Sequence, residues 1–381
     1  MSKTIIIIGA GLAGLSAALQ AAENGCNVKL VSSLPSERAQ SVMAEGGINT
    51  ALNTKDENDS PEEHFTDTIK AACGLADPNA VWGMTQAAPE LVHWLLKLGV
   101  KFNMSGYDDV DLRNFGGQKK KRTAFAQSDT GKQIMTAMID AVRRKEASGM
   151  VERFSHHSFL TLRLCGNICC GCVIRDEYSQ ETVELPGDAV IVATGGMHGL
   201  FGNTTGSLSN TGEVTAELFR LGVPLANSEM IQYHPTTVKC GGKRMLISEA
   251  ARGEGGRLFA MKDGKQWYFM EEKYPELGNL MPRDITAREI WKVSHESEVF
   301  LDMTEISEEI ISNKLSGLAD DCMTYLHKDI RKEPVSVLPG IHYFMGGILV
   351  DEQHRTPIQN LYAAGECCAQ YHGANRLGGN S

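Results

Sequence analysis

Hydrophobic and polar positions at the start of the chain predict a strand, a tight turn and a helix in direct succession. Residues 5–8 are all isoleucine, as expected of a strand that is buried on both faces. The segment GAGLAG at residues 9–14 follows, and an apolar pattern of helical period then continues to about Asn24. A second, mostly apolar run at 28–31 completes the beginning of a βαβ unit. This order predicts an open α/β sheet.

The same patterns predict further helices and strands along the chain. Strand-like alternation runs from 158 to 184. The segments DAVIVATGG (188–196) and NLYAAGE (360–366) are interpreted as buried strands with small residues at their ends, which leave the carboxyl edge of a sheet open to a flat ligand. Amphipathic spacing indicates three more helices, at residues 61–72, 80–98 and 131–147.

The chain is long enough for two domains, because 381 residues exceed one ordinary hydrophobic core. The segment at about 238–338 is more charged and more helical in pattern than its flanks, which belong to the predicted sheet. We therefore expect a Rossmann-like domain that is interrupted by an inserted second domain.

The glycines of GAGLAG predict a phosphate site. Gly9, Gly11 and Gly14 stand where a strand turns sharply into a helix, and the free N–H groups and positive dipole end of that helix attract a pyrophosphate. Ser32 and Ser33 end the second strand, where an acidic residue usually holds a ribose. A serine hydroxyl can form a weaker hydrogen bond there. The alternative is a tight turn that binds no nucleotide.

Charge and cysteine content limit the classes of function. A formal net charge of −10 argues against a nucleic-acid partner, which needs a basic face. The basic run KKKR (119–122) is expected to be a solvated turn, with docking to a partner subunit as the alternative. Ten cysteines, including two adjacent pairs, indicate reduced thiols in a cytoplasmic protein rather than a disulfide framework.

Two other patterns are interpreted from their context. The segment CGNICCGC (165–172) could suggest a metal, but it leads into a strand–turn–strand pattern and no second ligand pair lies at zinc spacing, so no metal site is expected. The apolar N-terminal run could suggest an export signal, but the glycines that follow are those of a strand-to-helix turn. No stretch is long and apolar enough to predict direct membrane insertion.

Nine short motifs carry a family resemblance through their order. They are GAGLAG, MAEGGIN, VATGG, QYHPT, SEAARGEGG, PRD, HYFMGG, YAAGE and HGANRLGGNS. Together they resemble the flavoprotein subunit of succinate dehydrogenase and fumarate reductase. The resemblance is closest to the bacterial quinone-linked kind, in which a serine also ends the second strand, and it covers essentially the whole chain.

The resemblance implies FAD extended along the sheet and a capping domain that closes over the substrate. The implied fold class is α/β, with a Rossmann-like FAD-binding domain (1–237 and 344–381) and an inserted α+β capping domain (238–343). The residues that the family pattern places at the pyrophosphate, ribose, ribityl chain and flavin are Gly9, Ala10, Gly11, Gly14, Ser32, Gly46, Gly47, Ala193, Thr194, Gly195 and Glu366.

A four-carbon dicarboxylate is the substrate that the resemblance implies. Two carboxylates need cationic or hydroxyl donors at both ends of the molecule. Outside the family context, each candidate donor could instead be a structural histidine or a surface arginine. The candidates that the family pattern places at the substrate are His234, Ser248, His342 and Arg376.

The motif SEAARGEGG allows two interpretations. Glu249 lies three residues before Arg252, which is compatible with a surface ion pair beside a flexible turn. The resemblance implies a proton path instead, in which Arg283 protonates the carbon opposite to the one that receives hydride from flavin N5, and Glu249 and Arg252 relay the replacement proton. The high pKa of an arginine argues against a role as an acid, but the objection weakens if proton transfer is concerted with hydride arrival, because the developing carbanion is a very strong base. We favour the proton path.

Gln40 departs from the family pattern and changes the expected function. Respiratory members carry a histidine there that is bonded covalently to FAD, so this sequence predicts noncovalent FAD. Loss of an electron-withdrawing link should lower the flavin potential and favour fumarate reduction over succinate oxidation. L-aspartate oxidase, which also lacks the link, is the alternative enzyme.

A second departure is the stop at Ser381, where the family continues into a helix facing the flavin and a helical C-terminal domain. A truncated member, or an FAD-binding scaffold without turnover, is therefore a further alternative. Electrons in the family arrive through an iron–sulfur subunit and a membrane cytochrome b subunit. The resemblance thus implies these partners, and a place in the cytoplasm or at the cytoplasmic face of the membrane.

Overall fold

A five-stranded parallel sheet forms the centre of the fold in the computed structural model, which describes residues 2–106 and 109–381. The first strand of the chain lies in the middle, and segments from the centre and the end of the chain pair beside it. The order across the sheet is Leu361–Ala363, Ala189–Val192, Thr4–Ile8, Asn27–Ser32 and Val151–Ser155. The predicted α/β sheet is therefore present.

Ten α-helices occur in the described part of the chain. Ser60 and Asp77 begin two of the longer ones, since each side chain accepts a hydrogen bond from the first turn and a proline follows it. The helices are Leu12–Glu23, Pro61–Ala71, Pro78–Leu98, Thr130–Ala147, Glu213–Arg220, Glu249–Gly253, Phe269–Lys273, Arg283–Val293, Glu308–Lys314 and Ser316–Asp321.

The other strands form smaller antiparallel sheets around the parallel one. Three of these sheets have three or four strands. The first contains His157–Cys165, Ile168–Asp176 and Thr182–Pro186, and the second contains Lys243–Leu246, Ile231–Cys240 and Leu338–Phe344. The third contains Lys265–Trp267, Arg257–Lys262, Val299–Asp302 and Val335–Ser336. Two-residue strands make the rest: Ile48–Asn49, Thr123–Ala124 and Leu112–Arg113 in one sheet, and Leu225–Ala226 with Gly347–Ile348 in another.

Alternate residues of the central strand enter two different cores. Ile7 packs with the helices Leu12–Glu23 and Thr130–Ala147 on one face. Ile6 and Ile8 pack on the other face, against the sheet that contains His157–Cys165. Because successive side chains of a strand point to opposite faces, a run of four isoleucines fits only a strand that is covered on both sides.

The glycine turn joins the central strand to the first helix with very little space. Gly9 has a φ of +112°, a conformation that favours glycine. A Cβ on Gly14 would lie 1.8 Å from the carbonyl oxygen of Gly9, so no other residue allows the helix to pack this closely on the strand. Gly14 therefore serves helix–strand packing, and the earlier glycines leave the sheet edge open.

The inserted segment has a hydrophobic core of its own. Buried side chains from Ile247 to Val337 form one hydrophobic cluster, which Phe115 joins from outside that range. The segment contains a four-stranded sheet as well as helices, which agrees with the α+β character that the resemblance implied, although its sequence pattern suggested more helix than its flanks. Its strands are short and lie among charged residues, which hides their alternation. The boundaries at 238 and 343 stay predictions.

The expectation that KKKR is a solvated turn is wrong for its last residue. The Arg122 side chain is fully buried, and its guanidinium pairs with Asp59 at 2.8 Å and with Asp67 at 3.1 Å. Lys121 is half-exposed and pairs with Glu57. Arg122 thus ties the loop to the start of the helix Pro61–Ala71, and only the lysines keep contact with solvent.

The three predicted long helices are present with ends that differ by at most two residues from the prediction. The region predicted as strand-like, 158–184, consists of most of a three-stranded antiparallel sheet. Within the residues that the structure describes, none of the helices combines the length and the apolar character needed to span a bilayer.

Replacing Gly14 with alanine should reduce the free energy of unfolding by about 1–3 kcal/mol or more, because the new methyl group would overlap the Gly9 carbonyl. Gly83→Ala is the matched control: it lies in the helix Pro78–Leu98, and its Cβ would meet nothing within 4 Å. That change should raise stability by about 0.5–1 kcal/mol. Urea denaturation followed by circular dichroism compares the two variants, and equal stability would contradict the packing argument.

Candidate active site

A cavity of about 920 Å³ extends from the carboxyl edge of the parallel sheet to the inserted segment. Gly14 and Arg252 are not part of its lining, although the sequence predicted both for the site. The other predicted residues line it: Gly9, Ala10, Gly11, Ser32, Gly46, Gly47, Ala193, Thr194, Gly195, Glu366, His234, Ser248, Glu249, Arg283, His342 and Arg376. One continuous space therefore joins the predicted dinucleotide and substrate regions.

The dinucleotide end of the cavity is lined by backbone and small side chains. Gly11 is the N-cap of the first helix and offers no side chain to the turn. The backbone N–H of Leu12 donates to Ser41 Oγ at 3.2 Å. Ser32 Oγ is buried and has no hydrogen-bond partner within the described residues. A buried hydroxyl without a partner is compatible with a ligand hydrogen bond, and its contact with a ribose stays a prediction.

Gly46 and Gly47 allow the chain to pass close to its neighbours on the way into the cavity. A Cβ on Gly46 would lie 2.8 Å from the ring of Phe115. Gly47 has a φ of +132°, and a Cβ there would lie 2.5 Å from the Ala124 carbonyl oxygen. A side chain at either position would push against these neighbours and displace the cavity wall, so the close approach of the chain depends on glycine. The buried Ser32 hydroxyl without a partner and the length of the cavity fit an extended dinucleotide.

Glu366 is held in place at the edge of the cavity. Its Oε1 accepts a hydrogen bond from the backbone N–H of Phe344 at 3.0 Å and lies 3.1 Å from His198 Nε2. The other ring nitrogen of His198 lies 2.9 Å from Thr204 Oγ1. This chain of contacts fixes the direction of the Glu366 carboxylate.

Arg283 and Glu249 form a buried ion pair at the opposite end. Arg283 is the first residue of its helix, and both its Nε and its Nη2 donate to Glu249 Oε2, at 2.8 and 2.7 Å. A cation at a helix N-terminus is disfavoured by the helix dipole. The two charge-assisted hydrogen bonds offset that cost.

Glu249 also contacts a second guanidinium. Its Oε1 lies 3.3 Å from Arg252 Nη2 and accepts the Gly116 backbone N–H at 3.0 Å. Burial alone would raise the pKa of Glu249, but Arg283 and Arg252 outweigh burial and hold the pKa below its usual value of 4.5. The carboxylate is therefore ionised at neutral pH. The plain reading of SEAARGEGG as a surface ion pair is wrong, because all three side chains are buried.

His234 and His342 lie on neighbouring antiparallel strands, with ring centroids 5.0 Å apart. Burial, with the charge of Arg283 as the next cause, lowers the pKa of each histidine well below its usual value, so both imidazoles are neutral. Nδ1 of His342 lies 2.8 Å from Thr205 Oγ1. Nε2 of His234 is buried and has no partner in the part of the chain that the structure describes.

Arg376 lies across the ring of Tyr343, with the guanidinium carbon 4.1 Å from the ring centroid. Its Nη1 donates to Gln232 Oε1 at 3.3 Å, and its buried Nε has no partner within the described residues. Burial, and then the charge of Arg283, lowers the pKa of Arg376 to about 10, so the side chain stays cationic at neutral pH.

The segment that carries Arg376 is tied to the early part of the chain. Asn49 Nδ2 donates to the Gly378 carbonyl at 2.8 Å and to Asn380 Oδ1 at 2.6 Å. His64 Nε2 lies 2.8 Å from the same Asn380 oxygen. A Cβ on Gly378 would lie 2.6 Å from Arg283 Nη2, so the segment passes directly over the buried ion pair.

Sequence reasoning missed two residues that organise the site. Gln232 accepts from Arg283 and from Arg376, and its amide nitrogen donates to the Arg376 carbonyl at 2.6 Å. It belongs to QYHPT, where only the histidine was selected. His198, which contacts Glu366, comes two residues after VATGG ends at Gly196. A polar residue within a selected motif, or within two residues of its end, is the signal that could have identified both.

Ser248 is buried and caps the short helix Glu249–Gly253, since its hydroxyl oxygen accepts the Ala250 backbone N–H at 3.4 Å. Its hydroxyl hydrogen is left for another acceptor. Across the described residues, no group of three or more His, Cys, Asp or Glu side chains is arranged to hold a metal ion.

Comparison with known proteins agrees with this geometry. The family of FAD binding domains matches residues 4–381, which defines the fold class as an FAD-binding α/β domain. The succinate dehydrogenase flavoprotein subunit of Bacillus subtilis is 44% identical over 100% of this chain and 66% of its own length. A variant of E. coli quinol fumarate reductase superposes with a TM-score of 0.91 at 29% identity, over 100% of this chain and 67% of the other.

An L-aspartate oxidase of Streptomyces coelicolor is also similar, at 33% identity over 100% of this chain and 66% of its own length. The chain therefore belongs to the FAD-dependent oxidoreductase family that contains the flavoprotein subunits of succinate dehydrogenase and fumarate reductase. It spans about two thirds of the length of these relatives.

Glu249→Gln should reduce the free energy of unfolding by about 3–5 kcal/mol, because it leaves two buried guanidinium groups without their counter-charge. Glu271→Gln is the control, since Glu271 pairs with Arg257 in a half-exposed ion pair and should cost less than about 1 kcal/mol. Denaturant unfolding at neutral pH measures both variants.

The difference in the free energy of unfolding between wild type and Glu249→Gln should depend on pH with a definite sign. The folded-state pKa of Glu249 is lower than the unfolded value, so the stabilisation is fully present above the unfolded value of about 4.5 and is lost as the pH falls through the folded one. The gap between wild type and Glu249→Gln should therefore stay constant above about pH 5 and shrink in more acidic solution. A gap that grows on acidification would contradict the assigned pKa direction.

Proposed function

We infer that the chain holds FAD and interconverts fumarate and succinate, with fumarate reduction favoured. The observation that carries this proposal is a pair of buried donors, His234 Nε2 and Arg376 Nε, that lack partners within the described residues and line the same cavity as Arg283. Donors of this kind call for a ligand with acceptor groups at separate points. A short dicarboxylate is such a ligand.

The charges of the site favour a dianion. Arg376 stays cationic at neutral pH, while Glu249 neutralises part of the charge of Arg283. The neutral imidazoles of His234 and His342 act as hydrogen-bond donors without adding charge. We propose that these residues and Ser248 bind the two carboxylates.

When bound, FAD supplies the hydride chemistry at the substrate carbon. The chain must then supply a proton at the neighbouring carbon, and we propose Arg283 for this role. Its Nε and Nη2 bind Glu249, and its Nη1 donates to Gln232 at 3.0 Å, so the guanidinium is fixed in one orientation. A guanidinium also stabilises the negative charge that develops on the substrate.

The replacement proton is proposed to pass through Glu249 and Arg252. Glu249 contacts Arg283 with one oxygen and Arg252 with the other. Arg252 in turn donates from Nη1 to the Asn279 carbonyl at 2.6 Å. Transfer from a guanidinium is feasible because it is concerted with carbanion formation, and because a carboxylate is positioned to exchange the proton.

Gln40 supports the proposed direction. It lines the cavity, and a carboxamide does not form the histidyl bond to FAD. Noncovalent FAD of lower potential favours fumarate reduction. Oxidation of L-aspartate is the second candidate, since the S. coelicolor relative carries that name. A scaffold that binds FAD without turnover is the third.

An iron–sulfur subunit and a membrane cytochrome b subunit are the proposed partners, at the cytoplasmic face of a membrane. The similarity to a quinol fumarate reductase supports this, because a quinol donor resides in a membrane. Soluble reduced viologen can replace such partners in an assay.

Arg283→Lys should reduce fumarate-dependent oxidation of reduced viologen by about 10²–10⁴-fold, the usual contribution of a general acid. Lysine keeps the charge but does not form the bidentate bond to Glu249. Arg288→Lys, an exposed residue of the same helix, should keep full activity. FAD content is measured in parallel, so that loss of the cofactor is distinguished from loss of proton transfer.

The viologen assay, together with a peroxide assay and the FAD content, separates fumarate reductase, L-aspartate oxidase and FAD-binding scaffold. Peroxide formation that depends on L-aspartate, without viologen oxidation by fumarate, would favour the oxidase. Bound FAD with neither activity would favour the scaffold. Full activity of Arg283→Lys would overturn the proposed role of Arg283.

Acid precipitation should leave a yellow supernatant and a colourless pellet, because Gln40 predicts FAD that is released when the protein unfolds. Absorbance of the two fractions is the measurement. A yellow pellet after washing would show a covalent bond and contradict the prediction.

A further inference from the structure

The segment CGNICCGC has no part in the proposed reaction, although it places four cysteines within eight residues. It forms the end of a β-hairpin whose strands are His157–Cys165 and Ile168–Asp176, with Gly166 and Asn167 at the turn. The hairpin belongs to the antiparallel sheet that covers one face of the central parallel sheet.

Two sulfur atoms of this hairpin are very close to each other. Cys165 Sγ and Cys170 Sγ lie 2.7 Å apart, well within the contact distance of two nonbonded sulfur atoms. A disulfide bond is about 2.05 Å long, so a small movement of either side chain brings the pair to bonding distance. Arg163 pairs with Gly171 and Leu164 pairs with Cys169, so the register of the hairpin shifts by one residue at Cys170. This irregularity brings Cys170 diagonally beside Cys165.

The other two cysteines of the segment face the core. Cys169 and Cys172 are buried and belong to the same hydrophobic cluster as Ile6 and Ile8. Burial raises the pKa of Cys169, and it raises the pKa of Cys172 to about 12, so both thiols stay protonated and unreactive. Cys165 is the most exposed of the four cysteines of this segment, so its sulfur is the one most accessible to a solute.

We propose that Cys165 and Cys170 form a reversible dithiol–disulfide site that takes hydroperoxides as its oxidant. The Cys165 thiol reacts with hydrogen peroxide to give a sulfenic acid and one water. The Cys170 sulfur then attacks the sulfenyl sulfur, the S–S bond forms, and a second water leaves. Two electrons and two protons pass from the thiols to one peroxide, and a dithiol reverses the reaction by exchange.

The site is placed where a bridge would affect the framework of the cavity. Asn167, in the turn, and Cys169, on the strand that follows it, hydrogen-bond with Pro357 and Gln359 at 2.8–3.0 Å. That segment leads directly into the strand Leu361–Ala363, and Glu366 follows at the cavity edge. A bridged hairpin tip would brace this connection.

Mass spectrometry of the oxidised protein tests the proposal. The protein is treated with hydrogen peroxide, quenched with catalase, denatured, alkylated with iodoacetamide and digested with trypsin. The peptide 164–175 contains four cysteines. After oxidation, the peptide should carry alkyl groups only on Cys169 and Cys172. Its mass should be two hydrogen atoms lower than that of the same doubly alkylated peptide with two free thiols. Treatment of the oxidised protein with dithiothreitol before alkylation should restore four alkyl groups.

Variants decide whether the pair itself is responsible. Cys165→Ser and Cys170→Ser should each abolish the bridged peptide, while Cys73→Ser, which removes an exposed thiol elsewhere, should leave it unchanged. Four alkyl groups on the peptide at a peroxide dose that oxidises Cys73 would overturn the proposal. A bridge that survives in both single variants, or that joins Cys169 to Cys172, would overturn it as well.

Discussion

The Glu249 carboxylate between two buried guanidinium groups is the interaction on which the site depends. Each of these charges would be costly to bury alone, so none of the three side chains is stable in this place without the others. Other local features accommodate the trio. The Gly116 N–H donates to the carboxylate, and Gly378 has no side chain where the last segment crosses it. An electrostatic constraint thus sets the positions of a helix start, a short helix and a chain crossing.

The same cavity combines two kinds of lining. At the sheet edge, glycine and alanine line the cavity, and a larger side chain at Gly9, Gly46 or Gly47 would collide with neighbouring segments of the chain. At the inserted segment, imidazole and guanidinium side chains face the same space. Gln232 connects the two guanidinium groups, because its side-chain oxygen accepts a hydrogen bond from Arg283 and another from Arg376. One amide group therefore supports both guanidinium groups that the proposed reaction uses, Arg376 for the substrate and Arg283 for the proton.

Local patterns predicted the parts of the fold that are determined locally. The isoleucine run and the glycines of GAGLAG identified the central strand and its helix, because strand burial and turn geometry involve neighbouring residues. Contacts between distant segments were not predictable in this way. Arg122 was assigned to a solvated turn because Asp59 and Asp67, its partners, lie more than fifty residues earlier. The ordered motifs selected residues most of which line one cavity, while their roles stay predictions; Gln232, inside QYHPT, and His198, two residues after VATGG, were not selected.

The topology of the central sheet has a consequence for how the protein forms during synthesis. The first strand, Thr4–Ile8, needs Ala189–Val192 as a neighbour, and Asn49 bonds to Asn380, 331 residues further on. Pairings of such long sequence separation form slowly, because a large loop must close before any contact rewards it. The emerging chain therefore exposes an unpaired edge of Thr4–Ile8 until Ala189–Val192 has been synthesised, and then an edge of Ala189–Val192 until Leu361–Ala363 follows. Flavin loading would accordingly be a late event, and a chaperone that shields that edge would protect the nascent protein from aggregation.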